Sequence, residues 1–224
     1  MNDLKKQFIE FTLDHQILRF GNFSLNSGRQ SPYFFNTGLC NTGELLAKLA
    51  KFYSDLLVEN NIKYDFIFGP AYKGITLATS ISNSLYNSHD VNKPFCFNRK
   101  ESKAHGEKGI FVGSPPIGNA LIVDDVISSG KSIIESIDLL SNNDAIPVSV
   151  LVAFDRMEVG LAKRASIEIS DKYKIPVYSI ITLDDIVEFL QNNKTMTLEL
   201  ESMTQYIAQS VSYTHLRAHE TRIH

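Results

Sequence analysis

The sequence predicts an α/β fold, with a central, mostly parallel sheet flanked by helices. Three observations carry this. Apolar runs of strand length recur, at Phe66-Ile67-Phe68, Ala120-Leu121-Ile122-Val123 and Pro147 to Phe154. The run at 120–123 has no polar break, as expected of a strand covered on both faces. Segments of helical periodicity separate the runs, and such alternation favours a parallel sheet. Lastly, Lys73, Asp124, Asp125 and Arg156 all follow predicted strands, and ligands of open α/β sheets bind outside the carboxyl ends of the strands.

Taken in order, Leu4, Phe8, Phe11, Leu13, Ile17 and Leu18 recur at helical spacing, predicting a helix over 3–18. Phe20, Phe23 and Leu25 around Gly21-Asn22 read as a short hairpin. The next stretch, Ser31-Pro32-Tyr33-Phe34-Phe35-Asn36, puts adjacent aromatics on opposite faces of a strand, either both in the core or one in the core and one over a planar ligand. Asn41-Thr42 caps a helix through Leu57. The strand Asp65 to Phe68 runs into Gly69-Pro70-Ala71-Tyr72-Lys73-Gly74 and a helix. There the glycines let backbone approach an anion and Lys73 adds a cation. Pro94 to Phe97 is a strand leading into a polar segment, 98–109, without apolar periodicity. A solvated surface hairpin is the plainer reading of such a charge run, and Gly106, Gly109 and Gly113 as hinges favour a mobile lid rich in Arg99, Lys100, Lys103, His105 and Lys108. Val177 to Ile181 forms a further strand, and Leu183–Leu190 and Leu198–Ile207 form closing helices.

With 224 residues, 43% of them hydrophobic, the chain can bury a substantial core; residues 1–210 read as one domain. A net charge of −3 gives no reason to expect nucleic acid or a membrane as partner. Cys40 and Cys96 lack paired spacing and read as core thiols of a reducing compartment. The N-terminus is not signal-like and there is no long apolar run, so the expected location is the cytoplasm. Residues 211–224 carry half of the histidines and no apolar face; they read as a non-native tail and are set aside.

The chemistry concentrates at Ala120 to Ser132: apolar strand, Asp124-Asp125, Val126-Ile127, a turn Ser128-Ser129-Gly130, then Lys131-Ser132 opening a helix. Free N–H groups at a helix N-terminus bind phosphate. The Gly-Lys-Ser ending is not a nucleotide P-loop, because the glycine needed five places earlier is Asp125. A plain turn capped by Asp125 or Ser128 is the simpler alternative.

This stretch resembles the phosphoribosyl-diphosphate motif of type I phosphoribosyltransferases. With Gln7-Phe8-Ile9-Glu10-Phe11, Ser31 to Asn36, Phe68 to Gly74, Phe97-Asn98-Arg99-Lys100-Glu101 and Asp155-Arg156, the chain from Lys6 to Ile207 resembles the bacterial orotate phosphoribosyltransferase family. The resemblance implies that fold, with a small N-terminal hood and a lid. It implies transfer of the 5-phosphoribosyl group from phosphoribosyl diphosphate (PRPP) to orotate, giving orotidine 5′-phosphate and diphosphate in pyrimidine biosynthesis. Magnesium is expected on the substrate diphosphate, with no metal held by protein ligands alone, and a homodimer is expected to share its lids. By the same resemblance, Ser128, Ser129, Gly130, Lys131 and Ser132 cradle the 5′-phosphate, Val126 and Ile127 also bind PRPP, and Asp124 and Asp125 hold the ribose hydroxyls. Tyr72, Lys73 and Lys100 hold diphosphate, while Arg99, Lys103 and His105 come from the partner. Lys103 joins the two acids as the catalytic set. Phe34, Phe35, Ser128 and Arg156 bind orotate. At Asn26 the family usually has lysine; an amide can donate a hydrogen bond but carries no charge. A non-catalytic sensor of the same ligand is the competing reading, and it lacks a visible output surface.

Overall fold

A computed structural model describes residues 1–24, 30–103, 109–160 and 162–220, with the backbone alone for 101–103 and 209–220. The elements run α1 (Asp3–Asp14), β1 (Leu18–Ser24), β2 (Gln30–Phe35), a short 3-10 turn (Thr37–Leu39), α2 (Gly43–Glu59), β3 (Phe66–Gly69), α3 (Lys73–His89), β4 (Phe95–Lys103) and β5 (Gly109–Gly113). They continue as β6 (Gly118–Ile127), α4 (Lys131–Ser141), β7 (Ala145–Asp155), α5 (Ala165–Tyr173), β8 (Val177–Thr182), α6 (Leu183–Gln191) and α7 (Thr197–Glu220). Six strands form one sheet in the order β5-β4-β3-β6-β7-β8; only the β4–β5 pair is antiparallel. This is the expected mostly parallel sheet.

Strand alternation divides the core in two. On β6 and β7, Leu121, Val123, Leu151 and Ala153 pack with Phe8, Leu49, Leu77 and Ile186 from α1, α2, α3 and α6. Ala120, Ile122, Val150 and Val152 face the other way, onto Ile133, Ile137 and Ile169 of α4 and α5. All eight strand residues are fully buried. Burying each large aliphatic side chain contributes about 1.5–3 kcal/mol, so central strands with two covered faces anchor the fold.

Several boundaries differ from the sequence reading, for physical reasons. The first helix stops at Asp14, because Gln16 takes a left-handed conformation at φ 57°; Ile17 and Leu18 are then buried as the chain enters β1. Gly21-Asn22 is not a hairpin turn. It is a bulge within β1, which pairs with β2 on both sides of it from Leu18↔Phe35 to Ser24↔Gln30. The connection, with Asn26, lies outside the described residues. The predicted lid is strand as far as Lys103, paired antiparallel with Ile110, Phe111 and Val112 of β5, which is the hairpin alternative rather than a loop over these residues. His105 and Lys108 lie outside the described residues. Helix α5 was not anticipated: its nine residues bury only Ala165 and Ile169, too little periodicity to read. At the far end, α7 continues beyond the expected Ile207 to Glu220.

Helix α2 starts as expected, with the Thr42 hydroxyl accepting from Leu45 N at 3.3 Å. Cys40 and Cys96 are buried free thiols, and burial pushes their pKa values up to about 11 and about 12. Among the described residues no helix is long and apolar enough to cross a membrane.

Candidate active site

Strand β6 extends past its apolar run through both acids, paired with β7 as far as Ile127↔Asp155. Alternation therefore sends the two carboxylates to opposite faces of the sheet. Asp124 lies on the α4 side, where its Oδ2 accepts from the Ser132 hydroxyl at 2.9 Å. Asp125 lies on the α3 side, where its Oδ2 accepts from Lys73 Nζ at 2.6 Å and from the Thr37 hydroxyl at 2.9 Å. The backbone holds the pair as well: Asp125 N donates to Asp124 Oδ1, Val126 N donates to Asp125 Oδ1, and Tyr53 Oη donates to the Asp124 carbonyl, at 2.8–2.9 Å.

Asp124 is 8% exposed and Asp125 7%. Burial, and secondarily the neighbouring Asp125 charge, push the Asp124 pKa up from 3.8 to about 6. Two acids this close and this buried form a site primed for cationic or hydroxyl-bearing ligands.

The turn after β6 leaves the α4 N-terminus open. Its N-cap is Gly130, at φ 76°, and no side chain caps the helix; the simpler reading, a cap by Asp125 or Ser128, is not what forms. A Cβ on Gly130 would lie 2.7 Å from Ile169 Cδ1, so α5 packs tightly under this turn. The first-turn N–H groups of a helix lack intrahelical partners and carry positive partial charge, so an anion fits here.

The second turn, after β3, is as tight. A Cβ on Gly69 would sit 1.9 Å from the Gly74 carbonyl oxygen, and one on Gly74 2.6 Å from the Gly69 carbonyl carbon. These glycines thus allow the end of β3 and the start of α3 to touch each other, a nearer reason than the anion approach inferred from sequence. Asn98 on β4 braces the turn, its Oδ1 accepting from Ala71 N at 2.9 Å. Tyr72 is 68% exposed and Lys100 Nζ lies 4.7 Å from its ring centroid. Between this turn, β4 and the start of α4 lies a cleft of about 390 Å³ lined by Pro70, Asn98, Arg99, Lys100 and Ser132.

Across the site stands the β1–β2 hood. Of the two aromatics, Phe35 is buried against Phe154, ring centroids 5.0 Å apart. Phe34 lies on the other face, half-buried beside Phe23 and under the Arg19 guanidinium. The structure therefore takes Phe35 out of the ligand-facing set and into the core, as the period of two requires. Arg156 N donates to Ile127 O at 3.1 Å, which fixes the arginine beside the phosphate-type turn. Its side chain is 13% exposed, with Nε 2.8 Å from Glu158 Oε1.

Thus the structure brings together Lys73, Asp124, Asp125 and Ser132, with Tyr72, Arg99 and Lys100 around the adjoining cleft. The Lys103 side chain and His105 lie outside the described residues. Sequence reasoning missed Thr37, Tyr53, Asn98 and Glu158. Thr37 sits 88 positions from its partner Asp125 and carries no motif, so nothing in the sequence marks it.

A mostly parallel sheet with a buried acid pair at the carboxyl end of an inner strand, beside an uncapped helix N-terminus, fits one class, the phosphoribosyltransferases. The phosphoribosyl transferase domain model matches residues 41–191, more than half of the chain. Orotate phosphoribosyltransferase from Pseudomonas syringae is 47% identical over 210 residues, 93% of this chain and 99% of its own length. The Thiobacillus denitrificans protein of that name is 48% identical over 207 residues, 92% of this chain and 97% of its own. The crystal structure of orotate phosphoribosyltransferase from Francisella tularensis superposes with a TM-score of 0.80 at 39% identity, covering 91% of this chain and 98% of that one. The chain belongs to the orotate phosphoribosyltransferase family.

Proposed function

We propose that this chain joins orotate to PRPP, releasing diphosphate and forming orotidine 5′-phosphate, and that the residues act as follows. The turn Ser128 to Gly130 and the α4 N-terminus at Lys131 and Ser132 receive the 5′-phosphate, with Val126 and Ile127 at the end of β6 beside them. Asp124 and Asp125 accept hydrogen bonds from the ribose 2′- and 3′-hydroxyls. Lys73 and Lys100, with Tyr72, hold the diphosphate, and Lys73 exchanges its contact with Asp125 for the leaving group. Phe34 covers the orotate ring, Ser128 meets its polar edge and the Arg156 guanidinium grips its carboxylate, a geometry suited to a planar fork.

Breaking the anomeric bond builds positive charge on the ribose and negative charge on the departing diphosphate. Fixed cations aimed at that growing negative charge lower the barrier, and the buried carboxylates favour the cationic ribose. No side-chain nucleophile is required. Water would attack the same carbon, so closure over the substrates excludes a side reaction. Among the described residues no group of three or more His, Cys, Asp or Glu could cage a metal. Asp124 and Asp125 are the acids that would be within the site of a Mg²⁺ arriving with the diphosphate. When bound, magnesium neutralises charge on the leaving group. The resemblance supports a homodimer in which Arg99, Lys103 and His105 complete the neighbouring site.

The observation that carries this reading is the convergence of Lys73 and Thr37 on Asp125 beside the uncapped α4 helix. Its test is orotate consumption with PRPP and magnesium, compared with uracil and hypoxanthine. Orotate turnover well above both is expected. Retained PRPP binding without turnover would favour the sensor, and preference for another base would overturn the orotate assignment.

A further inference from the structure

One polar cluster lies apart from the donor site, where β2, the end of β7 and α7 meet. Arg156 is its centre. The guanidinium carbon lies 5.1 Å from the centroid of the fully buried Tyr33 ring, and Tyr33 packs edge-on against Tyr206 of α7 at 5.9 Å and against Phe154 at 5.8 Å. Glu158, two residues on, places Oε1 2.8 Å from Arg156 Nε; the two side chains are 13% and 11% exposed. Its backbone is anchored as well, Glu158 O accepting from Ala165 N at 3.1 Å. Within the described residues Arg156 Nε, Arg156 Nη2 and Glu158 Oε1 are all buried without completing a hydrogen bond of good geometry, so the close approach of Nε and Oε1 is an ion pair rather than an aligned hydrogen bond. Buried polar atoms of that kind call for a partner.

A guanidinium offers carboxylates two bidentate edges. With Nε held against Glu158 and Nη2 buried, Nη1 is the nitrogen left to turn toward a ligand. We infer that Glu158 is a positioning residue for base recognition: its ion pair holds Nε while Tyr33 supplies a flat support, so that Nη1 of Arg156 meets the orotate carboxylate in one orientation. The inference rests on Arg156 reading that carboxylate. Glu158 also nearly cancels the arginine charge, so recognition depends on aligned hydrogen bonds rather than on net attraction. Loss of the clamp and loss of the opposing charge therefore act in opposite directions on orotate, which makes the sign of the effect decisive.

The test compares Glu158→Gln with Arg156→Ala in steady-state kinetics. The expected result is an orotate KM raised about tenfold in Glu158→Gln, with the PRPP KM within twofold of the parent. An orotate KM unchanged or lowered in Glu158→Gln, while Arg156→Ala raises it, overturns the positioning role alone. An orotate KM unchanged in Arg156→Ala overturns the reading of Arg156 and this inference with it. A second measurement needs no folded Glu158 variant: the Arg156 Nε–H resonance of the parent protein, assigned by its loss in Arg156→Lys. Slow exchange with water is expected; fast exchange overturns the clamp.

Discussion

Replacing Asp124 by Asn should make the ligand-free protein more stable at neutral pH while removing its hold on PRPP. Asp124 is buried, and desolvation, with the adjacent Asp125 second, lifts its pKa from 3.8 to about 6. A rise of that size corresponds to about 3 kcal/mol between the two protonation states. Between pH 3.8 and about 6 the folded protein holds more protons here than the unfolded chain does. The stabilising contribution of this group is thus fully present below about pH 3.8 and lost as pH rises through about 6. At pH 7.5 the ionised side chain is a burden on the fold. Asn keeps the shape, can accept from Asp125 N, and can pair with Ser132 by rotation of the hydroxyl. The expected gain is roughly 1–3 kcal/mol at pH 7.5, or roughly 2–10 °C in melting temperature for a chain of this size. Near pH 4, where Asp124 is largely protonated, the gain should almost vanish. The assay is ligand-free urea unfolding at both pH values, with PRPP titration alongside. A variant less stable than the parent at pH 7.5, or equally stabilised at both pH values, refutes the reasoning.

Other perturbations separate site from scaffold. Lys73→Met removes an ion pair whose lysine side chain is 54% exposed, so stability should change by less than about 1 kcal/mol; the PRPP KM should rise tenfold or more, and an unaltered KM removes Lys73 from the diphosphate site. Gly130→Ala should lose about 1–2 kcal/mol through its left-handed φ, with a further loss from the contact with Ile169 Cδ1; adding Ile169→Val should recover part of that further loss by thermal denaturation, and no recovery would show that the clash is absorbed elsewhere. Phe35→Ala should lose about 3–5 kcal/mol by opening a cavity beside Phe154, whereas Phe34→Ala should mainly raise the orotate KM; the reverse pattern would invert the assignment of the two faces.

The layers of the fold were legible because both signals are local. An unbroken apolar run at 120–123 marks a two-sided strand, and helical spacing after Thr42 marks a capped helix. The acid pair and the open α4 turn were legible for the same reason: strand, small residues and helix are adjacent in sequence. What stayed hidden depends on distant partners. Polar residues 98–103 become strand only because β5 pairs with them, and α5 is seen only once it packs under Gly130. Which of Phe34 and Phe35 faces inward is set by Phe154, more than 100 residues away. The reach of Thr37 to Asp125 and the clamp of Glu158 on Arg156 arise from loop geometry that no spacing rule encodes.

The most direct test of the central claim is where PRPP binds. A crystal of the full chain soaked with PRPP and magnesium should show the 5′-phosphate on the N–H groups of the stretch from Ser128 to Ser132, the ribose hydroxyls on Asp124 and Asp125, and Lys73 released from Asp125 toward the diphosphate. Density for the donor at any other place, with the Lys73–Asp125 contact intact, would contradict the account.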